Sequence, residues 1–307
     1  MTTPPGDGRT RLAPLLLLVL LGSLWGLGFS LAKIATRGGV PPITYSFWQS
    51  AAAAVVLSAI TVLRGVRPSL SARHLRFYLV MGITGFSIPN VNIIMSVAHL
   101  PAGIAAVIVP LSPLFTCAIA WAMGFEGMSA GRAVGLALGL AGTALIALPQ
   151  ASLPEPEQRF WVLMATMTPL FYAIGNVVAA RLRPPDMDSG ALGAAVHVVN
   201  AAVLLPVVTL GGMFHSMLPP WGAPELALMG QMAIACIGTV LFLEIVRLAG
   251  PVFLSQAAYV VTVTGVLWGM ALFGEQHAAT VWLGMLAIFG GVLLVQRSTT
   301  GARRSRG

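Results

Sequence analysis

Runs of apolar residues recur along this chain, each closed by a short cluster of proline, glycine or charged residues. About 20 such residues are what a helix needs to cross the hydrocarbon of a bilayer. Ten runs are legible, at residues 14–36, 41–63, 75–98, 102–124, 130–148, 160–181, 189–210, 225–247, 251–274 and 279–296. The joints between them include "RGGVPP" (37–42), "PQASLPEPE" (149–157) and "RPPDMDSG" (183–190), compositions that favour turns. The loops leave no room for an extramembrane domain. The pattern predicts an all-α integral membrane protein with ten transmembrane helices.

Composition agrees. Only 8% of the 307 residues are charged, against roughly 25% in soluble domains, so lipid is the solvent that fits this surface. A formal charge of +8 would suit nucleic acid if the bases were clustered on a soluble face. Here they sit in short loops between apolar runs, so a nucleic-acid partner is not expected. Cys117 and Cys236 both lie inside apolar segments, a placement that suits neither a disulfide framework nor a metal site. Nothing in the sequence asks for a cofactor. Arg9 and Arg11 precede "LAPLLLLVLLGSLWG", which reads as a first span because similar segments follow and no clear A-x-A site closes it.

Charge also orients the spans, since cytoplasmic loops collect Lys and Arg. With the N-terminus inside, Arg9, Arg11, Arg64, Arg67, Arg73, Arg76, Arg132, Arg181, Arg183, Arg247, Arg297, Arg303, Arg304 and Arg306 are internal. Only Lys33, Arg37 and Arg159 then face out, and both termini are cytoplasmic.

The two halves echo one another. Glu126 in "MGFEG" (123–127) and Glu275 in "LFGEQ" (272–276) close comparable runs. Aligning them places Gly135 on Gly284, Gly142 on Gly291 and Leu145 on Leu294, while a register two residues shorter places Gly28 on Gly175. The expected organisation is two five-helix repeats, residues 1–150 and 151–307. An odd number of spans inverts the second copy, the arrangement of many secondary transporters.

Two segments carry a resemblance. "AAVIVPLSPLFTCAIAWAMGFEGMSAGRAVGLALGLAGTALIAL" (105–148) resembles the fourth and fifth helices of an EamA-type domain, and "RLAGPVFLSQAAYVVTVTGVLWGMALFGEQHAATVWLGMLAIFGGVLLV" (247–295) resembles the ninth and tenth. The likeness spans essentially the whole chain and implies the drug/metabolite transporter superfamily. It implies ten-helix carriers of the bacterial-type inner membrane that often export amino acids or other metabolites. One departure is that Pro110 and Pro113 have Tyr259 and Thr262 as repeat mates, so the second half lacks the prolines.

Candidate pocket residues are polar or aromatic groups near mid-span, some of them beside Pro or Gly, where freed backbone groups need a protein or water-filled surround. Three repeat-matched pairs satisfy this: Trp25 with Tyr172, Asn90 with Thr239, and Pro110 with Tyr259. Thr262 and Trp268 extend the set, with Asn92, Asn176 and Gln256 as further members. Helix packing is the competing reading for each pair. Glu244 and Arg247, spaced i,i+3, either stabilise one another or leave Glu244 to couple an ion. Lys33 reads as a snorkelling side chain, the two glutamates as helix-dipole partners, and His197 with Asn200 as an inter-helix hydrogen-bonding pair. Gly131, Gly135 and Gly139, with Ala287 and Gly291, form small-residue stripes suited to helix packing or to a homodimer.

The expected function is therefore secondary active transport of a small metabolite, an amino acid or similar, through the bilayer by alternating access, with export as what the resemblance implies. A passive channel or membrane sensor is the alternative. An intramembrane enzyme is disfavoured: Asp7, Asp186 and Asp188 all fall outside the spans, and the chain has no HExxH and no GxxxxGK[ST] sequence.

Overall fold

The computed structural model describes residues 8–66, 68–124, 127–147, 157–182, 184, 188–254 and 256–304. Glu126, Arg67, Arg183, Arg306 and most of the 149–157 joint lie outside these residues.

The described residues form helical rods: α1 (Gly8–Arg37), α2 (Pro42–Leu63), α3 (Ala72–His99), α4 (Ala102–Ala122), α5 (Ala130–Ala147), α6 (Gln158–Leu182), α7 (Ser189–Leu210), α8 (Ala223–Leu254), α9 (Ala257–Phe273) and α10 (Ala279–Arg304). Eight are long and apolar enough to cross a membrane, whereas α5 and α9 are shorter apolar helices. At 17 residues, α9 is about 26 Å long. Its start lies beyond the expected 251, because α8 continues to Leu254. "LAGPVFLSQ" (248–256) is apolar on both sides of the break, so hydropathy alone marks no boundary there.

Prolines deform the rods locally. Pro89 lacks an N–H and its ring crowds the carbonyl one turn earlier. The turn before it widens into a π segment, Met81–Ser87, inside α3. The Ser87 hydroxyl donates to the Gly82 carbonyl at 3.0 Å within that segment. In α4, Pro110 sits in a 3₁₀ turn, Val109–Leu111, and Pro113 opens the α-helical stretch that follows.

The packing repeats itself across the two halves. α1 packs on α8 and α9, while α6 packs on α3 and α4; α2 faces α7, α4 faces α9 and α5 faces α10. The α5–α10 contact is built on glycine. A Cβ on Gly135 or on Gly142 would stand 2.6 Å from the carbonyl oxygen of Gly291 or of Gly284, respectively. Residue numbers rise along α5 as they fall along α10, so the two helices run antiparallel. Gly135, Gly139 and Gly291 of the small-residue stripes thus pack inside the chain. Large apolar side chains such as Leu16, Leu20, Leu283 and Leu286 face outward, as a lipid-facing exterior requires.

Candidate functional site

A cavity of about 370 Å³ opens where the two halves meet, within the range of small-molecule sites. α1 supplies Trp25, Gly28, Phe29 and Ala32 to its wall, and α8 supplies Gln231, Ala235 and Thr239. Tyr45 and Gln49 of α2, Phe86 and Asn90 of α3, Tyr172 of α6 and His197 of α7 close it, with aliphatic side chains of α3, α4 and α9. The widened π turn of α3 ends at this wall, a common place for such turns. Two glycines make the wall possible. A Cβ at Gly28 would sit 2.9 Å from Gln231 Oε1, and one at Gly238 would sit 2.6 Å from Trp25 Nε1.

Among the described residues, the lining contains no Asp, Glu, Lys or Arg. Instead, three of its residues hold buried polar atoms without a hydrogen-bond partner: the Tyr45 hydroxyl, His197 Nδ1 and Gln231 Oε1. An unsatisfied buried group costs about 1–3 kcal/mol. Three around one cavity leave hydrogen-bonding capacity for an occupant.

Of the residues expected to form a pocket, Trp25, Asn90, Tyr172 and Thr239 line this cavity. Pro110, Tyr259, Thr262 and Trp268 are not among its lining residues. Pro110 is buried in the 3₁₀ turn. Tyr259 meets the edge of Phe289 at 4.9 Å between centroids. The Thr262 hydroxyl bonds the Ala106 and Ala258 carbonyls at 3.1 and 3.0 Å, tying α9 to α4. Trp268 lies lower on α9, outside the lining. Glu244 is gripped by Arg247 at 2.8 and 2.5 Å, one bond to each oxygen. Of His197 and Asn200, it is Asn200 that bonds across helices. Asn200 holds Ser50 and Ser87, while His197 packs against the Phe86 ring. Tyr45, Gln49, Gln231 and His197 were missed as pocket residues. Gln49 and Gln231 carried a signal, an uncharged polar group inside an apolar run.

A second polar cluster lies beyond the cavity. Gly274, at φ 62°, ends α9 and turns the chain back. Glu275 then reaches the first turn of α4, where it accepts the N–H groups of Ala102 at 2.7 Å and Gly103 at 3.0 Å. The Lys33 ammonium completes the carboxylate at 2.9 Å, with both side chains under a tenth exposed. Lys33 also lies 4.9 Å from the Phe273 ring centroid. It therefore does not snorkel, and Glu275 caps α4 rather than α10, the helix that follows it. Beside them His277 is wholly buried, its Nε2 3.6 Å from Glu275 Oε2 and both ring nitrogens unpartnered. Burial pushes the His277 imidazole below its ordinary pKa, Glu275 pulls it back up and Lys33 lowers it further.

The sequence profile of the EamA-like transporter family matches residues 12–148 and again 159–297. The uncharacterized inner membrane transporter YedA of Escherichia coli (strain K12) is 27% identical over 299 residues, covering 91% of each chain. A probable terminal-alkyne amino-acid exporter of Streptantibioticus cattleyicolor is 24% identical over 289 residues, covering 94% of each. One solved crystal structure superposes with a TM-score of 0.60 over 92% of this chain and 97% of its own, at 20% identity. That last likeness is one of fold.

Proposed function

Since the chain belongs to the EamA-like transporter family, a multi-pass transporter family rather than an enzyme family, we propose that it is a secondary carrier. Its substrate is a small metabolite, an amino acid or a close relative, bound in the central cavity and exported across the inner membrane by alternating access.

The observation that carries this reading is the position of the cavity. Twelve lining residues come from the first matched segment (Trp25 to Val109) and six from the second (Tyr172 to Val261). A site at the junction of two halves opens alternately when one half rocks on the other. Ten crossings in two five-helix repeats, residues 1–150 and 151–307, account for the duplicated packing. The antiparallel run of α5 and α10, whose glycines are repeat mates, supports inversion of the second copy. Both termini then lie in the cytoplasm, and the Lys33–Glu275 cluster lies at the outer face.

The cavity chemistry narrows the cargo. With no fixed charge in the wall, a net-charged solute would lose its hydration without a counter-ion. A zwitterion or neutral solute can use Trp25, Tyr45, Asn90, Tyr172 and Gln231 as donors, acceptors and aromatic faces. The name of the Streptantibioticus cattleyicolor relative adds weight to an amino-acid cargo.

Purified protein in liposomes, loaded with an unlabelled amino acid and exposed to its labelled form, tests the reading. Saturable counterflow is the expected result. Flux that rises linearly with concentration would instead indicate a passive channel.

A further inference from the structure

We propose that His277, Glu275 and Lys33 form a proton-binding site that couples transport to a proton gradient, an inference resting on the carrier reading above. The cluster stands apart from the cavity, and nothing in the substrate site uses it.

The Glu275 carboxylate is fully engaged in this conformation. Oε1 accepts Lys33 Nζ and the Ala102 N–H, and Oε2 accepts the Gly103 N–H. The arrangement ties three elements together: α1 through Lys33, the first turn of α4 through its peptide groups, and the α9–α10 loop through Glu275 itself. Breaking or remaking it moves helices, because two glycines leave no slack around it. A Cβ on Gly103 would stand 2.8 Å from His277 Nε2, and one on Gly269 would stand 3.1 Å from Glu275 Cδ.

His277 is the group left over. A wholly buried imidazole with two unpartnered nitrogens is an unfavourable way to fill space, and the engaged carboxylate lies 3.6 Å from Nε2. The charged groups around it are Lys33 and Arg37 from α1 and Glu275 from its own loop; α4 presents only peptide N–H groups. With the imidazole neutral, the latch is Lys33–Glu275–α4. When water delivers a proton to the ring, the imidazolium becomes a donor cation close to a carboxylate oxygen. Closing the remaining gap brings Nε2–H onto Oε2 in competition with Gly103, and two cations then share one anion. The latch on α1 and α4 loosens.

That consequence reaches the cavity directly. Ala32 and Phe29 line the cavity on the same helix that carries Lys33, within about one turn of it. A proton bound differently in the latched and released states is what coupling requires, since a ligand shifts an equilibrium only by its differential affinity.

Lys33 is the only lysine in the chain, so a protein labelled with ¹⁵N-lysine and ¹⁵N-histidine in nanodiscs reports both partners without ambiguity. The His277 signals are assigned by their loss in His277→Gln. Between pH 8 and pH 5, the window in which histidines titrate, His277 is expected to protonate and the Lys33 Nζ signal to move with it. In His277→Gln the Lys33 signal should stay put. A His277 that remains neutral throughout overturns the proposal. So does a Lys33 signal that ignores its titration, or one that still moves in the variant.

Transport gives a second readout. Proteoliposomes are assayed with each labelled proteinogenic amino acid, with and without an imposed pH gradient. The ratio of gradient-driven flux to exchange flux should fall about fivefold or more in His277→Gln. An unchanged ratio sinks the proton site while leaving the carrier reading intact. Absence of saturable flux for every probe sinks the carrier reading, and the nuclear magnetic resonance titration still decides the site.

Discussion

Gly142 of α5 and Gly284 of α10 face each other so closely that a Cβ on either would fall 2.6 to 2.7 Å from the other's carbonyl oxygen. Gly135 and Gly291 repeat the contact two turns away. In the repeat register Gly135 is the mate of Gly284 and Gly142 of Gly291, so the observed pairs are the crossed ones. A twofold relation demands this: if one residue touches the mate of a second, the second touches the mate of the first.

Bulk at this seam has nowhere to go, because the obstructing atoms are backbone. Gly142→Leu should lower the unfolding free energy of detergent-purified protein by about 1–3 kcal/mol, the usual cost of overpacking. Gly290→Ala is the control, since its Cβ would have nothing within 4 Å. Equal thermal midpoints for Gly142→Leu and the parent protein would show that the α5–α10 seam is not closed in the membrane protein.

The orphaned polar atoms of the cavity make a prediction in which stability and activity part company. Tyr45→Phe removes a hydroxyl with no internal partner, so the fold loses no hydrogen bond and its thermal midpoint should hold or rise. The substrate loses one. Removing a hydrogen bond worth about 0.5–1.5 kcal/mol raises KM roughly two- to twelvefold. Gln231→Leu should follow the same pattern, measured by counterflow and by unfolding on the same preparations. A drop in both stability and transport would assign these residues to packing.

The Lys33–Glu275 pair behaves oppositely. Both side chains are buried, so Lys33→Met strands a carboxylate and should cost about 3–5 kcal/mol of unfolding free energy. Adding Glu275→Gln to it leaves two neutral groups, and the amide oxygen can still accept the Ala102 and Gly103 N–H groups. The double variant should therefore be more stable than Lys33→Met alone. Additive losses in a double-mutant cycle would mean that the two side chains do not interact.

How much of this was legible beforehand depends on where the information sits. The helices were, because a 20-residue apolar run announces itself locally. Trp25, Asn90, Tyr172 and Thr239 were legible as well, because polar or aromatic groups at mid-span stand out against aliphatic neighbours. Pro110, Tyr259 and Thr262 met the same criterion and lie outside the lining, since depth in a span does not say which face of the helix turns inward. Tyr45 failed the mid-span test, lying one turn into α2, although its side chain reaches the cavity. The Lys33–Glu275 pair was invisible for a different reason. The partners are 242 residues apart, and a lysine near a span end looks the same whether it snorkels or pairs. Glu275 looked like a partner for the next helix until the turn at Gly274 directed it to α4.

The acid that looked most suited to ion coupling in the sequence, Glu244, supplies the last test. It sits near the end of α8 with each carboxylate oxygen held by Arg247, and both side chains of the pair are exposed. Exposed i,i+3 pairs contribute little to stability, so Glu244→Gln should leave the thermal midpoint nearly unchanged. If protons bind instead at His277 and Glu275, Glu244→Gln should also preserve the pH profile of transport, whereas His277→Gln flattens it. Measuring both profiles on the same amino-acid probe separates the two sites. A flattened profile in Glu244→Gln alone would return coupling to α8.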